Sequence, residues 1–282
     1  MVKTEMQELA VLYNAEYKKG QLRQSDSHGL IPASAFHTED ALVKALDMRL
    51  GGTSKCKGEK DACWVEHPMV KRSGEFYRKL IKKAFKPKKP DAWIKKPREW
   101  LNTYDILNVM KQYDEKFPIF SFLGVFPVDF AHERVCSLEK MCDFHLDKLR
   151  GKGKTSFGMV LNLDKHDEPG SHWVSMFCSI DPSSPKYGIS YFDSAGSRPP
   201  KDINIFMKKV YQQIKDRTFQ HKYNPVKMQF GGSECGIFSM RFLIMCLEHP
   251  NFSYRQIRSE MMKLIDKKKD GKMFAFRDKM YR

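Results

Sequence analysis

The second half of this chain reads as a succession of strand-like runs followed by helices, and that succession most narrows what it can fold into. Residues 155–164 form a nearly continuous apolar run that reads as a mostly buried strand. Residues 171–180 alternate well enough for a half-buried strand. Asp181-Pro182-Ser183-Ser184-Pro185-Lys186 then supplies the turn into a third strand over 187–193. The spacing of Ile205, Phe206, Val210 and Ile214 predicts an amphipathic helix over 201–219. A short strand over 226–230 follows. An apolar helix then opens at Cys235 and runs to Leu247, closed by His249-Pro250. Hairpin-linked strands interleaved with helices define an α/β (α+β) domain.

The first part is helical. Residues 3–19 carry Leu9, Leu12 and Tyr13 near helical spacing, and 38–50 repeat the pattern with Leu42, Leu46 and Leu50. Thr38 is placed to cap the second helix, and Gly51-Gly52 to end it. A third helix is expected over 76–85. Lys86-Pro87-Lys88-Lys89-Pro90 is a basic, proline-punctuated break. It sets the expected boundary between a helical N-terminal arm with a basic linker, 1–90, and a second domain, 91–282. Beyond it, 93–113 reads as a helix with Leu101, Ile106, Val109 and Met110 on one face, and 254–282 as a C-terminal helical segment.

Other classes are excluded by the text. A membrane-spanning helix needs about 18 or more apolar residues in a row, and the best stretch, 117–131, is broken by Pro118, Pro127 and Asp129. Early acidic residues and the lack of an apolar signal core argue against secretion. Seven cysteines without repeating spacing give no disulfide framework, which favours a reducing compartment. The formal charge is +16. Between 71 and 98 lie twelve Lys or Arg against Glu75 and Asp91, a field suited to a polyanion or to a solvated linker. Lys82, Lys83, Lys86, Lys88 and Lys89 are its candidate nucleic-acid contacts.

Four polar residues stand at the ends of these elements: His172, Asp193, Gln229 and Cys235. A thiol attacks as its anion, and both the start of a helix and a nearby imidazolium favour that anion. His172 is the natural base and, later, the acid for a leaving amine. Asp193, one hairpin away, can take the other ring nitrogen. Gln229 can donate to an oxyanion beside the Cys235 backbone N–H, where one such donor is worth on the order of 3 kcal/mol. Gly231 and Gly232 would allow a sharp turn and close approach of substrate, and Gly236 would relieve crowding at the same turn.

The segments Gly170-Ser171-His172-Trp173, Tyr191-Phe192-Asp193-Ser194 and Gln229 through Cys235-Gly236 resemble the cysteine-protease clan of ubiquitin-like-protein-specific proteases and the adenoviral proteinase. The order His, Asp, Gln, Cys separates the chain from papain-like enzymes, in which the cysteine comes first. Trp100-Leu101-Asn102 with Ile106 is similar to the opening of that catalytic domain, although Thr103 stands where an aspartate is usual. Glu234-Cys235-Gly236, with Cys63-(three residues)-His67-Pro68, resembles the polyprotein-processing proteases of large DNA viruses, of the asfarvirus type, whose third catalytic member is asparagine rather than aspartate.

The resemblance implies a papain-like core in circularly permuted order. It also implies cleavage after Gly-Gly or Gly-Xaa-Gly through a narrow slot partly formed by Trp173, which is otherwise a core tryptophan. On this reading the protein is a viral endopeptidase maturing capsid or core polyproteins in the virion and at cytoplasmic assembly sites. No metal or organic cofactor is needed. The rivals are a ubiquitin or ubiquitin-like-modifier isopeptidase, an acetyltransferase using the same thiol constellation, and a basic nucleic-acid-binding structural protein with an inactive protease fold. A zinc site drawn from Cys56, Cys63, His67, Cys136, Cys142 and His145 lacks tight paired spacing. By analogy with the DNA-stimulated adenoviral proteinase, the basic linker would tether the enzyme to DNA.

Overall fold

A computed structural model of the protein describes residues 3–22, 28–51, 60–84, 86, 87, 89, 90, 92–136, 141–265 and 271–281. The chain divides into two compact units, Met1–Lys86 and Pro87–Arg282.

The first unit holds α1 (Lys3–Lys18), α2 (Glu39–Leu50), α3 (Lys60–Glu66), α4 (Pro68–Arg72) and α5 (Glu75–Ala84). Met6, Leu9, Ala10 and Tyr13 recur at helical spacing and share a core with Leu42, Leu46, Leu50 and Trp64. Burying each of the larger side chains stabilises the unit by about 2 kcal/mol. The Thr38 hydroxyl accepts from the Ala41 N–H at 3.3 Å and starts α2. Arg49, near the end of α2, donates to the carbonyls of His28, Gly29 and Leu30, which ties that loop to the helix. Helices α3 and α4 were not foreseen. In the Cys63–His67–Pro68 motif, the His67 Nδ1 accepts from the Met69 N–H and caps α4, with Pro68 in its first turn.

The second unit is built on one five-stranded sheet, in the order β1 (Phe120–Phe126), β2 (Ser156–Asn162), β3 (Trp173–Ser179), β4 (Gly188–Phe192), β5 (Gln220–Tyr223). The β1/β2 and β4/β5 pairs are parallel, and β2, β3 and β4 are antiparallel neighbours. Its helices are α6 (Ala92–Lys95), α7 (Thr103–Lys116), α8 (Glu133–Cys136), α9 (Leu146–Arg150), α10 (Lys201–Ile214), α11 (Cys235–Glu248), α12 (Tyr254–Met262) and α13 (Gly271–Met280). Phe120, Trp173, Phe177 and Phe192 pack with α7, α11, α12 and α13. On the opposite face Phe157, Met176, Cys178 and Tyr191 pack with Ile203, Phe206, Met207 and Val210 of α10. With both faces covered, every residue of β3 is buried, so the expected half-exposed alternation is absent.

Several expected boundaries are corrected. Helix α10 stops at Ile214 because Lys215 adopts a left-handed conformation (φ 55°), after which the Asp216 carboxylate turns the chain by accepting from the N–H and hydroxyl of Thr218. Residues 220–223, to which no element was assigned from sequence, pair with β4, whereas 226–230 form no strand. Ile205 faces solvent at 51% exposure, and Ile203 and Met207 take the inner face instead. The expected helix over 93–113 is interrupted at Pro97, and an Asn102/Asp105 capping box restarts it as α7, leaving Leu101 outside. The C-terminal segment holds two helices, and the lysine-rich turn expected at Lys267 to Lys269 lies outside the described residues.

Buried Lys186 donates Nζ to the carbonyls of His249, Pro250 and Phe252, each at 2.8 Å, and so anchors the C-terminal end of α11. No disulfide was expected from the cysteine spacing, yet Cys136 and Cys142 form one, while Cys178, Cys235 and Cys246 are free and buried. Among the described residues, no group of three or more His, Cys, Asp or Glu could hold a metal, and no helix is long and apolar enough to cross a membrane.

Candidate active site

Because β3 and β4 are antiparallel, the start of one and the end of the other lie at the same edge of the sheet. His172 immediately precedes β3, rather than lying within it as expected, and its carbonyl accepts from Leu163 N–H at 2.9 Å. Asp193 immediately follows β4. The ring Nε2 of His172 lies 2.7 Å from Asp193 Oδ1. The imidazole also hydrogen-bonds Cys235, the first residue of α11. With Nε2 taken by Asp193, Nδ1 is the nitrogen left for the sulfur. The rival histidine, His166, pairs instead with Asp129 at 2.8 Å.

The environment favours a charged imidazole. Burial by itself would push the His172 pKa down, but the hydrogen bonds to Asp193 and Cys235, and the charges of both, raise it to about 9. Burial likewise opposes the Asp193 carboxylate. The His172 hydrogen bond, the Ala195 N–H at 2.7 Å and the Ser197 side chain outweigh that burial and hold its pKa below the usual carboxylate range.

Gln229 joins this group through Ser194, the neighbour of Asp193. Its Oε1 accepts from Ser194 Oγ at 2.7 Å, and its Nε2 donates to the Gly231 carbonyl at 2.9 Å, which fixes the amide plane. The Ser194 carbonyl in turn accepts from the N–H groups of Met228 and Gln229. Asn224 completes the brace, its Nδ2 donating to the carbonyls of Asp193 and Val226. Ser194 and Asn224 were not singled out from sequence. Asn224-Pro225 reads as a turn, and its second role depends on β5, which was also missed.

Trp173 is in the core at 7% exposure, with its indole N–H donated to the Leu101 carbonyl at 2.8 Å. Its ring is thus mostly packed, and its Cδ1 edge lies toward Gly236 at the start of α11. A Cβ on Gly236 would come within 3.1 Å of Leu101 Cδ1 and 3.3 Å of Trp173 Cδ1. Glycine there lets the first turn of α11 sit against both residues. Gly231 and Gly232 are exposed, neither has a positive φ, and a Cβ on Gly232 would meet nothing within 4 Å. Gly232 could therefore take a side chain without strain or clash.

Gly196 is more demanding. Its φ is +81°, and an added Cβ would lie 2.7 Å from Lys227 N and 2.8 Å from Val226 C. The Gly196→Ala variant is expected to melt roughly 5 °C lower. It should also lose about tenfold or more in kcat/KM, because the displaced backbone leads directly to Gln229. Thermal melting and peptidase assays on the purified variant check both numbers.

The five candidate lysines are divided between the two units. Lys82 and Lys83 lie on α5 of the first unit, Lys86 ends that unit, and Lys88 lies outside the described residues. Lys89 belongs to the second unit and pairs with Asp278 at 2.7 Å.

A histidine held between a buried carboxylate and a thiol at the start of a buried helix defines the class: this is a cysteine peptidase. The Ulp1 protease family, C-terminal catalytic domain, matches residues 159–279. A thiol-protease homologue from Acanthamoeba polyphaga mimivirus is 31% identical over 252 residues, covering 87% of this chain and 79% of its own. A protein of African swine fever virus named a cysteine protease is 25% identical over 240 residues, 79% of this chain and 83% of its own. In another isolate of that virus the name is SUMO-1 cysteine protease. The crystal structure of the African swine fever virus protease is similar in fold, with a TM-score of 0.63 at 23% identity, covering 84% of this chain and 86% of that one. The chain belongs to the Ulp1 family of cysteine proteases.

Proposed function

We propose that the protein is a viral endopeptidase that matures capsid or core polyproteins by cleaving after Gly-Gly or Gly-Xaa-Gly. The observation that carries this reading is the continuous contact from Asp193 through His172 to Cys235. Cys235 sulfur attacks the scissile carbonyl, and His172 passes its proton to the leaving amine. An acyl-thioester remains, and His172 then accepts a proton from the water that hydrolyses it. Asp193 holds the ring. The Cys235 backbone N–H and the Gln229 amide are the donors for the oxyanion. Glycine specificity is supported by the burial of the nucleophile: Cys235 is only 2% exposed, so a scissile bond flanked by large side chains cannot reach it. Viral relatives support action in the virion and at assembly sites in the host cytoplasm.

Cleavage profiling on a peptide library, alongside ubiquitin-like-modifier conjugates and with Cys235→Ala as control, tests this. Cleavage confined to sites after glycine, in polyprotein-like peptides in preference to conjugates, is the expected result. Preferred hydrolysis of conjugates would move the assignment to the isopeptidase reading, and cleavage without glycine would end it. Repeating the assay with duplex DNA at low and high salt tests the basic segment as a tether: stimulation should vanish as salt rises.

A further inference from the structure

The C-terminal helix α13 carries Met273, Arg277 and Met280 on its inner face, at helical spacing, and buried Tyr281 follows directly after its end. A cation among these is costly to bury unless it is doing something that a hydrophobic residue cannot. Arg277 is 4% exposed. Its Nη1 donates to the carbonyl of Pro97 at 3.1 Å and to that of Glu99 at 2.8 Å. Its guanidinium lies 3.5 Å from the Trp93 ring centroid, and that ring meets Tyr281 edge-on at 4.8 Å. Among the described residues, Arg277 Nε and Nη2 are buried without hydrogen-bond partners. So much unmet donor capacity makes the site a poor choice for stability alone.

What Arg277 grips leads directly to the nucleophile. Two residues beyond the Glu99 carbonyl, the carbonyl of Leu101 receives the indole N–H of Trp173, and the Leu101 side chain abuts Gly236. One residue further, Asn102 and Asp105 cap α7 reciprocally. The strip 97–101 is therefore fastened at one end by Arg277 and at the other by the residues that follow His172 and Cys235. Trp100, between those fastenings, is 46% exposed. The buried carboxylates of Asp105 and Glu234 both act electrostatically on Arg277, and Glu234 immediately precedes Cys235.

We propose that Arg277 is a positioning residue of the active site, holding the 97–101 strip as the wall against which substrate is seated beside Cys235. The inference rests on the peptidase reading and adds to it a role for the C-terminal helix. Lysine keeps the positive charge but lacks the flat guanidinium plane that stacks on Trp93 while one of its nitrogens, Nη1, is held over the two carbonyls. Methionine keeps the volume and loses both.

The test compares parent, Arg277→Lys and Arg277→Met, with rates expressed per titrated thiol so that unfolded protein does not count. Arg277→Lys should raise KM for a glycine-containing peptide about tenfold with kcat within about twofold, and Arg277→Met should raise KM further. Alkylation of Cys235 by iodoacetamide, which needs the thiol and His172 but no seated peptide, should stay within about twofold of the parent in both. If Arg277→Lys keeps the parent KM, or if alkylation slows in step with peptide turnover, the positioning role is overturned. A parent that alkylates but cleaves no peptide would instead count against the peptidase reading itself.

Discussion

Replacing Cys235 with alanine is expected to lower peptide turnover by on the order of 10⁵-fold while leaving the fold intact. Loss on that scale follows from removing the only atom that can form the acyl intermediate, because the residual donors at Gln229 and the start of α11 still bind but cannot attack. Serine should be nearly as inactive, since its hydroxyl does not form the anion–imidazolium pair that a thiol does. The fold should survive because the substitution removes one sulfur from the first turn of α11, whose remaining buried residues, Ile237, Phe238, Met240 and Leu243 among them, stay packed on the sheet. Active-site titration and circular dichroism on the same samples separate the two effects. A variant retaining even a hundredth of parental turnover would place the nucleophile elsewhere.

Asp193 carries the second large effect. It is 1% exposed and, through His172, sustains the charged ring. In Asp193→Ala the burial of His172 is no longer opposed by its strongest partner, so the imidazolium is lost at lower pH. We expect kcat/KM at neutral pH to fall 10²- to 10⁴-fold, and the alkaline limb of the pH profile to move down from about 9. Asp193→Asn should be much milder, within about tenfold. A ring still kept charged by the Cys235 sulfur donates Nε2–H to an amide oxygen, more weakly than to a carboxylate, so geometry survives the loss of charge.

The same pair gives a pH dependence of stability. The folded pKa of His172 lies above its ordinary 6.5, so its contribution is complete below that value and is lost as pH rises through about 9. Asp193 is shifted down, so its contribution is present above the ordinary 3.8 and disappears as pH falls toward its depressed value. Urea unfolding of parent and Asp193→Ala across pH 3 to 10 should show their difference widest near neutral pH and narrowing toward both ends of that range, with the Ala195 and Ser197 contacts of Asp193 keeping part of it at alkaline pH.

The catalytic residues were legible because each sits where a pattern changes: His172 before an apolar run, Asp193 after one, Cys235 at the head of a helix with no charged residue until Arg241. The braces were not. Ser194, Asn224 and Gly196 acquire meaning only when the loop after β4 meets the loop before α11, an encounter created by the pairing of β5 with β4. The edge strand β5, Gln220-His221-Lys222-Tyr223, has a polar sequence that carries no strand signal, and its pairing is set by tertiary contact. The burial of Trp173 was not legible either, because proximity to a histidine in sequence says nothing about which face of a doubly covered strand a ring occupies. Arg277 stood out least, as one cation among fifty Lys and Arg residues. Only burial distinguishes it.

The charged state of His172 is most directly read by NMR titration of its ring in the parent and in Cys235→Ala. The contacts described here predict an imidazolium that persists through neutral pH with a midpoint near 9 in the parent, and a clearly lower midpoint once the sulfur is removed. A midpoint near 6.5, unchanged by the substitution, would contradict the account, because Cys235 and His172 would then not be partners.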